Sequence, residues 1–133
     1  MKVSELAKIL SVTSDTVRFY TREGLLKPVK SEDNGYKQYG RKELNRLRFI
    51  LSARQLGFSV KDIEKILAHA DHGSSACPLV RNLIEQRLEE TEIQFKHARN
   101  LRRNMKNAIK QWRNLPDKEP TKEMICYLIE SFS

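Results

Sequence analysis

The hydrophobic and polar positions at the start of the chain repeat with helical spacing in two short segments. Apolar residues three or four positions apart predict a first helix over residues 4–10. A second helix is predicted directly after it, because Thr13 is a favourable N-cap and Gly24 is a favourable residue at a helix C-terminus. Two short helices joined by a tight turn indicate a helix-turn-helix.

Residues 27–40 break this pattern and predict a small β-hairpin. Pro28 argues against continuing the second helix, and Asn34-Gly35 is the strongest short turn signal in the chain. The residues on either side of this turn can pair as two short strands. We interpret the segment as the wing of a winged helix-turn-helix.

Two further helices are predicted after the hairpin. Apolar positions indicate a helix over residues 41–56, which Gly57 ends. Ser59, with Asp62 three residues later, resembles a capping box for a fourth helix that runs to about His69.

The long segment from Pro78 to Trp112 contains no further glycine or proline, and a stripe of mostly apolar residues follows it at steps of three or four. A helix of about 35 residues is about 50 Å long, which exceeds what a domain of this size can cover with its own core. We therefore expect a second copy to cover the stripe in a parallel or antiparallel coiled-coil homodimer. The alternative is a solitary amphipathic helix that lies on its own domain.

The rest of the chain holds two prolines, a charged loop and a short terminal helix that is predicted to start near Thr121 and to carry Cys126. The predicted fold class is mainly α, with a winged helix-turn-helix, a long dimerisation helix and a short C-terminal loop and helix. Three domains are predicted: a DNA-binding domain with connecting helices over 1–76, a coiled-coil helix over 77–113, and an effector-sensing segment over 114–133.

The charge of the chain is distributed unevenly. Lys and Arg number 25 against 17 acidic residues, and residues 1–60 hold 12 basic and 6 acidic side chains while residues 61–133 hold 13 and 11. A basic excess concentrated in the N-terminal half suits a polyanionic partner. No apolar run approaches the roughly 20 residues of a membrane span, and a signal-peptide pattern is missing. We expect a cytoplasmic protein without a membrane partner, whose cysteines are free thiols or metal ligands.

Three strings in the N-terminal half occur together in a known family. "VSELAKILSVTSDTVRFYTREGLLKP", "NGYKQYG" and "LRFILSARQLGFSVKDIEKIL", followed by a long helix, resemble the MerR family of bacterial transcription regulators. The resemblance covers roughly residues 1–112. It implies a dimer with an antiparallel coiled coil that binds double-stranded operator DNA between promoter elements and distorts it so that RNA polymerase can engage both. An enzyme is not expected, because no nucleophile arrangement or Gly-rich phosphate loop is present.

The second predicted helix carries the residues expected to reach DNA. Its N-terminal turn offers backbone N–H groups to a phosphate, together with the hydroxyls of Ser14 and Thr16. Arg18 could donate to a base edge or a phosphate, and Tyr20 to a phosphate. The resemblance implies that Arg18 and Tyr20 contact DNA. The alternatives are a surface ion pair of Arg18, for example with Asp15, and packing of Tyr20 in the core.

The resemblance also implies that the wing clamps the DNA backbone through Tyr36, Lys37 and Tyr39. Further candidates for phosphate contact are three basic residues: Lys30, Arg41 and Arg54. Lys30 and Arg41 could equally be solvated surface charges. Each phosphate contact would steepen the salt dependence of DNA affinity by a slope of about 0.9.

The two cysteines lie at positions that the resemblance links to effector sensing. Cys77 directly precedes Pro78 at the start of the long helix, where a helix N-terminus favours the thiolate. In MerR-like metal sensors, a cysteine there meets loop cysteines of the other subunit, and Cys126 resembles such a loop cysteine. The resemblance therefore implies a metal site between subunits.

The chain departs from this pattern where relatives usually carry another loop cysteine. Asp117 and Glu119 occupy that region, so a carboxylate could complete the site; His69 or His72 could join it or be an ordinary polar residue. Two thiolates alone suit mercury(II) or copper(I), whereas added carboxylate or histidine suits zinc(II). In the family, a cysteine at the position of Cys77 goes with divalent sensing, which favours zinc, cadmium, lead or mercury.

Other interpretations of the cysteines stay open. Two thiols that face each other across a dimer could sense oxidants or electrophiles, with Cys77 as the attacking sulfur. Cys126, flanked by apolar residues, could also be a small buried hydrophobic residue. A DNA-binding protein of purely architectural function would share the same heads and dimer but would not respond to metal or oxidant.

Overall fold

The computed structural model describes residues 1–133. Its elements are α1 (Val3–Ile9), α2 (Ser14–Arg22), β1 (Val29–Lys30), β2 (Lys37–Gln38), α3 (Arg41–Gln55), α4 (Val60–Asp71), α5 (Cys77–Trp112) and α6 (Tyr127–Glu130). The predicted mainly α fold class is confirmed. None of these helices combines the length and apolar character that a membrane span requires. The chain forms two compact units, residues 1–87 and 88–133, which divide inside α5. The three-domain division stays a prediction.

Local signals in the sequence account for both ends of α2. The Thr13 side chain accepts a hydrogen bond from the Thr16 backbone N–H at 3.1 Å, which confirms the predicted N-cap. Gly24 follows the helix with a φ of 79°, and the Leu25 backbone N–H donates to the Tyr20 carbonyl at 3.0 Å. A residue with positive φ at this point lets the chain turn back and satisfies the last carbonyls of the helix.

The predicted hairpin is present as two very short antiparallel strands. Val29 pairs with Gln38 in the register of β1 and β2. Within the turn, Gly35 has a φ of 71°, and the Tyr36 backbone N–H donates to Asn34 Oδ1 at 3.0 Å. The asparagine side chain and the glycine backbone therefore shape the turn that the sequence indicates.

The predicted capping box at the start of α4 is also confirmed. Ser59 Oγ accepts from the Asp62 N–H at 3.1 Å, and Asp62 Oδ2 accepts from the Ser59 N–H at 3.0 Å. The same Asp62 oxygen lies 3.4 Å from Arg87 Nε on α5. Asp62 is buried, so its charge is balanced by the Ser59 N–H and by the positive charge of Arg87 rather than by water. The helix extends to Asp71, two residues beyond the predicted end.

Residues 1–87 enclose a hydrophobic core made by α1 to α4 and the first turns of α5. Apolar side chains from every one of these helices are buried there. The most deeply buried aliphatic residues are Leu6, Val17, Leu26, Leu47, Ile50 and Ile63. This core holds the helix-turn-helix and the hairpin in a fixed relation to each other.

Residues 88–133 bury much less apolar surface. Ala108 is the one buried residue, while four large members of the α5 stripe are more than half exposed: Leu88, Phe95, Leu101 and Met105. At the end of α5, Ala108 and Trp112 line a groove of about 210 Å³ together with Ile129 and Phe132 of the C-terminal segment. The C-terminal residues thus cover only the last turns of the stripe.

The predicted start of the terminal helix near Thr121 is wrong. Thr121 Oγ1 accepts from the Glu123 and Met124 N–H groups at 3.2 and 3.1 Å, and the Thr121 N–H donates to the Met124 carbonyl at 2.9 Å. The threonine therefore closes a turn instead of capping a helix. The helix begins at Tyr127 and has four residues, with Cys126 as its N-cap residue.

Candidate DNA-binding surface and cysteine sites

A basic groove of about 650 Å³ lies between α1, α2 and the hairpin. Four of its lining residues carry positive charge: Lys2, Arg18, Arg22 and Lys37. Thr21 and the exposed Tyr36 also line it. A concave surface with this many cations and few acids attracts a polyanion and offers several donors to phosphate oxygens.

Arg18 lies in this groove and is paired with Asp15. Its Nη1 donates to Asp15 Oδ1 at 3.0 Å, and both side chains are mostly exposed. An exposed pair one helical turn apart contributes little to stability, so it can exchange for a stronger partner at small cost. Thr16 and Ser14 were also predicted to contact phosphate. The Thr16 hydroxyl is hydrogen-bonded to the Thr13 hydroxyl at 2.9 Å, and Ser14 is half-buried.

The prediction that Tyr39 clamps the DNA backbone is not compatible with its position in the structure. Its side chain is 1% exposed. Thr21 Oγ1 donates its single proton to the Val17 carbonyl at 2.8 Å, so the Tyr39 hydroxyl, 2.8 Å away, must donate to Thr21. The ring therefore joins the hairpin to α2 from inside the core. Tyr20 is also buried, which is the alternative that the sequence left open.

The other predicted basic contacts and Tyr36 remain at the surface. Tyr36 is exposed, with Lys2 Nζ 5.8 Å from its ring centroid. Arg54 is exposed, but its Nη1 donates to the Phe58 carbonyl at 2.9 Å and so helps to close the turn after α3. The remaining predicted contacts are exposed as well: Lys30, Lys37 and Arg41. Their contacts with DNA stay predictions.

Two basic residues of the groove were not among the sequence candidates. Arg22 lies one helical turn after Arg18, so its spacing on α2 is a signal that could have found it. Lys2 is brought to the groove because the Met1 amino group donates to the Tyr39 carbonyl at 2.8 Å and the Tyr39 N–H donates to the Met1 carbonyl at 2.7 Å. Nothing in the local sequence reveals that pairing.

The two cysteines lie in different compact units. Cys77 is the first residue of α5 and is exposed, and its backbone N–H donates to Ser75 Oγ at 3.3 Å. Cys126 is partly exposed at the N-terminal end of α6. Both are free thiols, so the donor chemistry suits a thiophilic metal ion.

The chain alone does not assemble a site with three ligands. No group of three or more His, Cys, Asp and Glu side chains is placed to hold a metal ion. His72, the residue directly after α4, has its Nδ1 atom 2.7 Å from the carbonyl oxygen of Ala68 in that helix. Asp117 and Glu119 are exposed in the loop after α5.

One interaction at Cys126 was not foreseen from the sequence. Glu130 Oε2 accepts hydrogen bonds from the Ile125 and Cys126 N–H groups at 2.8 and 2.6 Å. In the same segment, Lys118 Nζ lies 4.0 Å from the centroid of the Tyr127 ring. The sequence shows that Glu130 lies four positions after Cys126, but it does not show that the Glu130 side chain accepts hydrogen bonds from the backbone beside the cysteine.

Comparison with known families finds two matches that together cover residues 1–108. A family description, MerR HTH family regulatory protein, matches residues 1–70, and a second, MerR DNA binding, matches residues 44–108. The first covers more than half of the 133 residues.

Similar proteins include metal-responsive regulators. The chain is 31% identical over 105 residues to the HTH-type transcriptional regulator ZntR of Escherichia coli (strain K12), covering 78% of this chain and 74% of the relative. It is 33% identical over 101 residues to a protein of Haemophilus influenzae named "Probable heavy metal-dependent transcriptional regulator", covering 76% and 79%. Among solved structures, the regulator PbrR691 of Ralstonia metallidurans CH34 in complex with lead(II) aligns with a TM-score of 0.73 and 26% identity, covering 100% of this chain and 99% of that chain.

Proposed function

Because the chain belongs to the MerR family of HTH regulatory proteins, we propose that it is a homodimeric transcription regulator that binds operator DNA and responds to a divalent or soft metal ion. The observation that carries the first part is the basic groove between α2 and the hairpin, lined by Lys2, Arg18, Arg22 and Lys37. The names of its relatives, which include a heavy metal-dependent regulator and a lead(II) complex, support the second part. A DNA-binding regulator of this kind works in the cytoplasm.

In this proposal the groove receives the DNA backbone beside the major groove that α2 enters. Arg18 exchanges its exposed pairing with Asp15 for a phosphate or a base edge, which costs little because exposed ion pairs are weak. The operator is double-stranded and has two related half-sites, since each subunit supplies one reading head.

Salt dependence of DNA affinity tests the groove. Fluorescence anisotropy with a labelled promoter duplex measures the dissociation constant of the dimer from low to moderate salt. Arg18→Ala should weaken binding and reduce the slope of log affinity against log salt by about 0.9 per subunit. Lys65→Ala is the matched control, because Lys65 is an exposed cation of α4 that does not line the groove. Equal affinities and equal slopes for the two variants would contradict the assignment.

The apolar stripe on α5 supports dimerisation. Leu88, Phe95 and Leu101 are more than half exposed in the single chain. A row of such side chains in water is unfavourable, and a second α5 that packs against it removes the exposed surface. We expect the antiparallel arrangement of the family, with one DNA-binding head at each end.

The metal ion would bind at the boundary between subunits. We assign Cys77 of one subunit and Cys126 of the partner subunit as its thiolate ligands, with Asp117, Glu119 or His72 as candidates for further ligands. Zinc, cadmium, lead and mercury suit such donors. The ion can activate transcription only if it binds one arrangement of the two heads more tightly than the other, because equal affinity shifts no equilibrium. The favoured arrangement would distort the promoter so that RNA polymerase engages it.

Metal titration of the anaerobic dimer tests this assignment. Zinc, lead and mercury are added separately to metal-free protein, while ultraviolet thiolate-to-metal absorption and transcription from the cognate promoter are recorded. Cys77→Ser and Cys126→Ser should each weaken the absorption band and abolish the transcriptional response, and both variants should still bind operator DNA. A full response in either variant would refute the site.

A thiol-based sensor is the second candidate, and it is favoured by one observation: both cysteines are free and Cys77 is exposed. Peroxide would oxidise the two thiols to one disulfide and itself be reduced to two waters, with the two thiol protons ending in the waters. Metal-free protein treated with peroxide should then form a covalent dimer that a reductant reverses. A transcriptional response to peroxide but to none of the metals would favour this function over metal sensing.

A further inference from the structure

The segment that carries Cys126 is held by few apolar contacts. Ile125 is 88% exposed, and the loop from Asn114 to Met124 contains mostly exposed residues. Cys126 itself has an extended backbone, with φ −139° and ψ 115°. Without buried side chains, the conformation of such a segment depends on its hydrogen bonds.

Glu130 accepts the two shortest of these hydrogen bonds. One carboxylate oxygen, Oε2, accepts from the backbone N–H groups of Ile125 and Cys126 at 2.8 and 2.6 Å. Bonds of this length to an ionised acceptor are about twice as strong as neutral ones. The N–H groups at the start of a helix have no acceptor within the helix. Here the side chain of Glu130, the last residue of α6, accepts from the N–H of Cys126, the N-cap residue.

A second interaction fixes the other side of the cysteine. The Lys118 ammonium lies 4.0 Å from the Tyr127 ring centroid, directly after Cys126 in the chain. Lys118 lies between Asp117 and Glu119, the candidate acidic ligands, so this contact ties their segment to α6. Two side-chain contacts therefore flank Cys126, one from Glu130 to its backbone and one from Lys118 to the next residue.

We infer that Glu130 is a positioning residue that holds Cys126 in the conformation in which it captures the effector, an inference that rests on the proposed metal-sensing function. A ligand that binds only one conformation of a loop has an apparent affinity reduced by the fraction of the loop in that conformation. Removing the carboxylate frees the Cys126 backbone and lowers that fraction. The metal concentration for half-maximal response then rises, while dimerisation and DNA binding do not change.

Substitution of Glu130 by glutamine distinguishes a positioning role from direct metal binding. Both N–H groups donate to the same oxygen, and the single carbonyl oxygen of a glutamine side chain has two lone pairs that can accept both bonds. Glu130→Gln should therefore keep the half-maximal metal concentration within about twofold of the original, whereas Glu130→Ala should raise it about tenfold, as for a competent fraction that falls to about one tenth. A carboxylate that acted as a ligand would be lost in both variants.

Amide hydrogen exchange of the metal-free dimer provides a readout that is independent of activity. The Ile125 and Cys126 amides should exchange slowly in the original protein and in Glu130→Gln, and faster in Glu130→Ala. Glu123→Ala is the matched control, since it removes a carboxylate from the same exposed segment but leaves the backbone bonds to Thr121 in place. Its exchange and its metal response should equal those of the original protein.

The inference fails if Glu130→Ala keeps the original metal response and amide protection, or if Glu130→Gln loses the response to the same extent as Glu130→Ala. These results differ from a failure of the proposed function, in which the original protein itself gives no thiolate-to-metal absorption and no transcriptional response. The titration of zinc, lead and mercury into the original protein therefore precedes the comparison of variants.

Discussion

Residues 1–87 and residues 88–133 bury their apolar side chains to very different extents. In the first unit, α1 to α4 surround a core in which Leu6, Leu47 and Ile63 are fully buried. In the second unit Ala108 is the one buried residue, and Leu101 on the same helix is more than half exposed. The first unit can thus be stabilised by its own core, whereas the apolar surface of the second needs a partner to leave water.

The largest expected effect tests the core of the first unit. Leu47→Ala should lower the free energy of unfolding by about 2 to 5 kcal/mol, because it removes a fully buried side chain and leaves a cavity. Chemical denaturation at fixed protein concentration measures this change. Leu56→Ala, at an exposed position after α3, should change it by less than about 0.5 kcal/mol. Similar effects of the two substitutions would mean that the core does not stabilise the unit.

The next prediction tests the second unit through association. Leu101→Ala should destabilise the dimer by about 1 to 3 kcal/mol, because the substitution is present in both copies and removes apolar surface from the shared stripe. Sedimentation velocity over a range of protein concentrations gives the dimer dissociation constant. Arg99→Ala changes an exposed residue of the same helix outside the stripe and should leave that constant nearly unchanged. If Leu101→Ala dimerised as tightly as Arg99→Ala, the stripe would not be the interface.

Local signals predicted much of the first unit. Thr13, Asn34-Gly35 and the Ser59/Asp62 pair each act over three residues or fewer, so the sequence alone identifies the helix start, the hairpin turn and the capping box. The start of the terminal helix near Thr121 was not predicted correctly, because the Thr121 hydroxyl closes a turn and the helix starts six residues later. A threonine hydroxyl can accept backbone N–H bonds in a turn as well as at the start of a helix, and local sequence does not decide between the two structures.

The candidate sites were predicted less completely than the fold, because they depend on contacts between distant residues. The sequence identified Arg18 and both cysteines by type and position. It placed Tyr39 at the DNA surface, whereas packing between the hairpin and α2 buries that ring and pairs its hydroxyl with Thr21. It missed Lys2, which lies in the groove beside the pairing of Met1 with Tyr39.

The smallest expected effect comes from removing a side-chain hydroxyl that accepts backbone hydrogen bonds, once in each of the two units. The hydroxyls of Ser59 and Thr121 both accept backbone N–H bonds, at 3.1 Å from Asp62 and at 3.1 Å from Met124. Ser59→Ala should lower the free energy of unfolding by about 1 kcal/mol, because the cap it removes lies at the end of a helix that packs into the core. Thr121→Ala should change it by less than about 0.5 kcal/mol, because water can replace the hydroxyl in an exposed loop. Chemical denaturation of the two variants in parallel measures the difference, and a larger loss for Thr121→Ala would show that the C-terminal loop contributes to the cooperative unfolding of the chain.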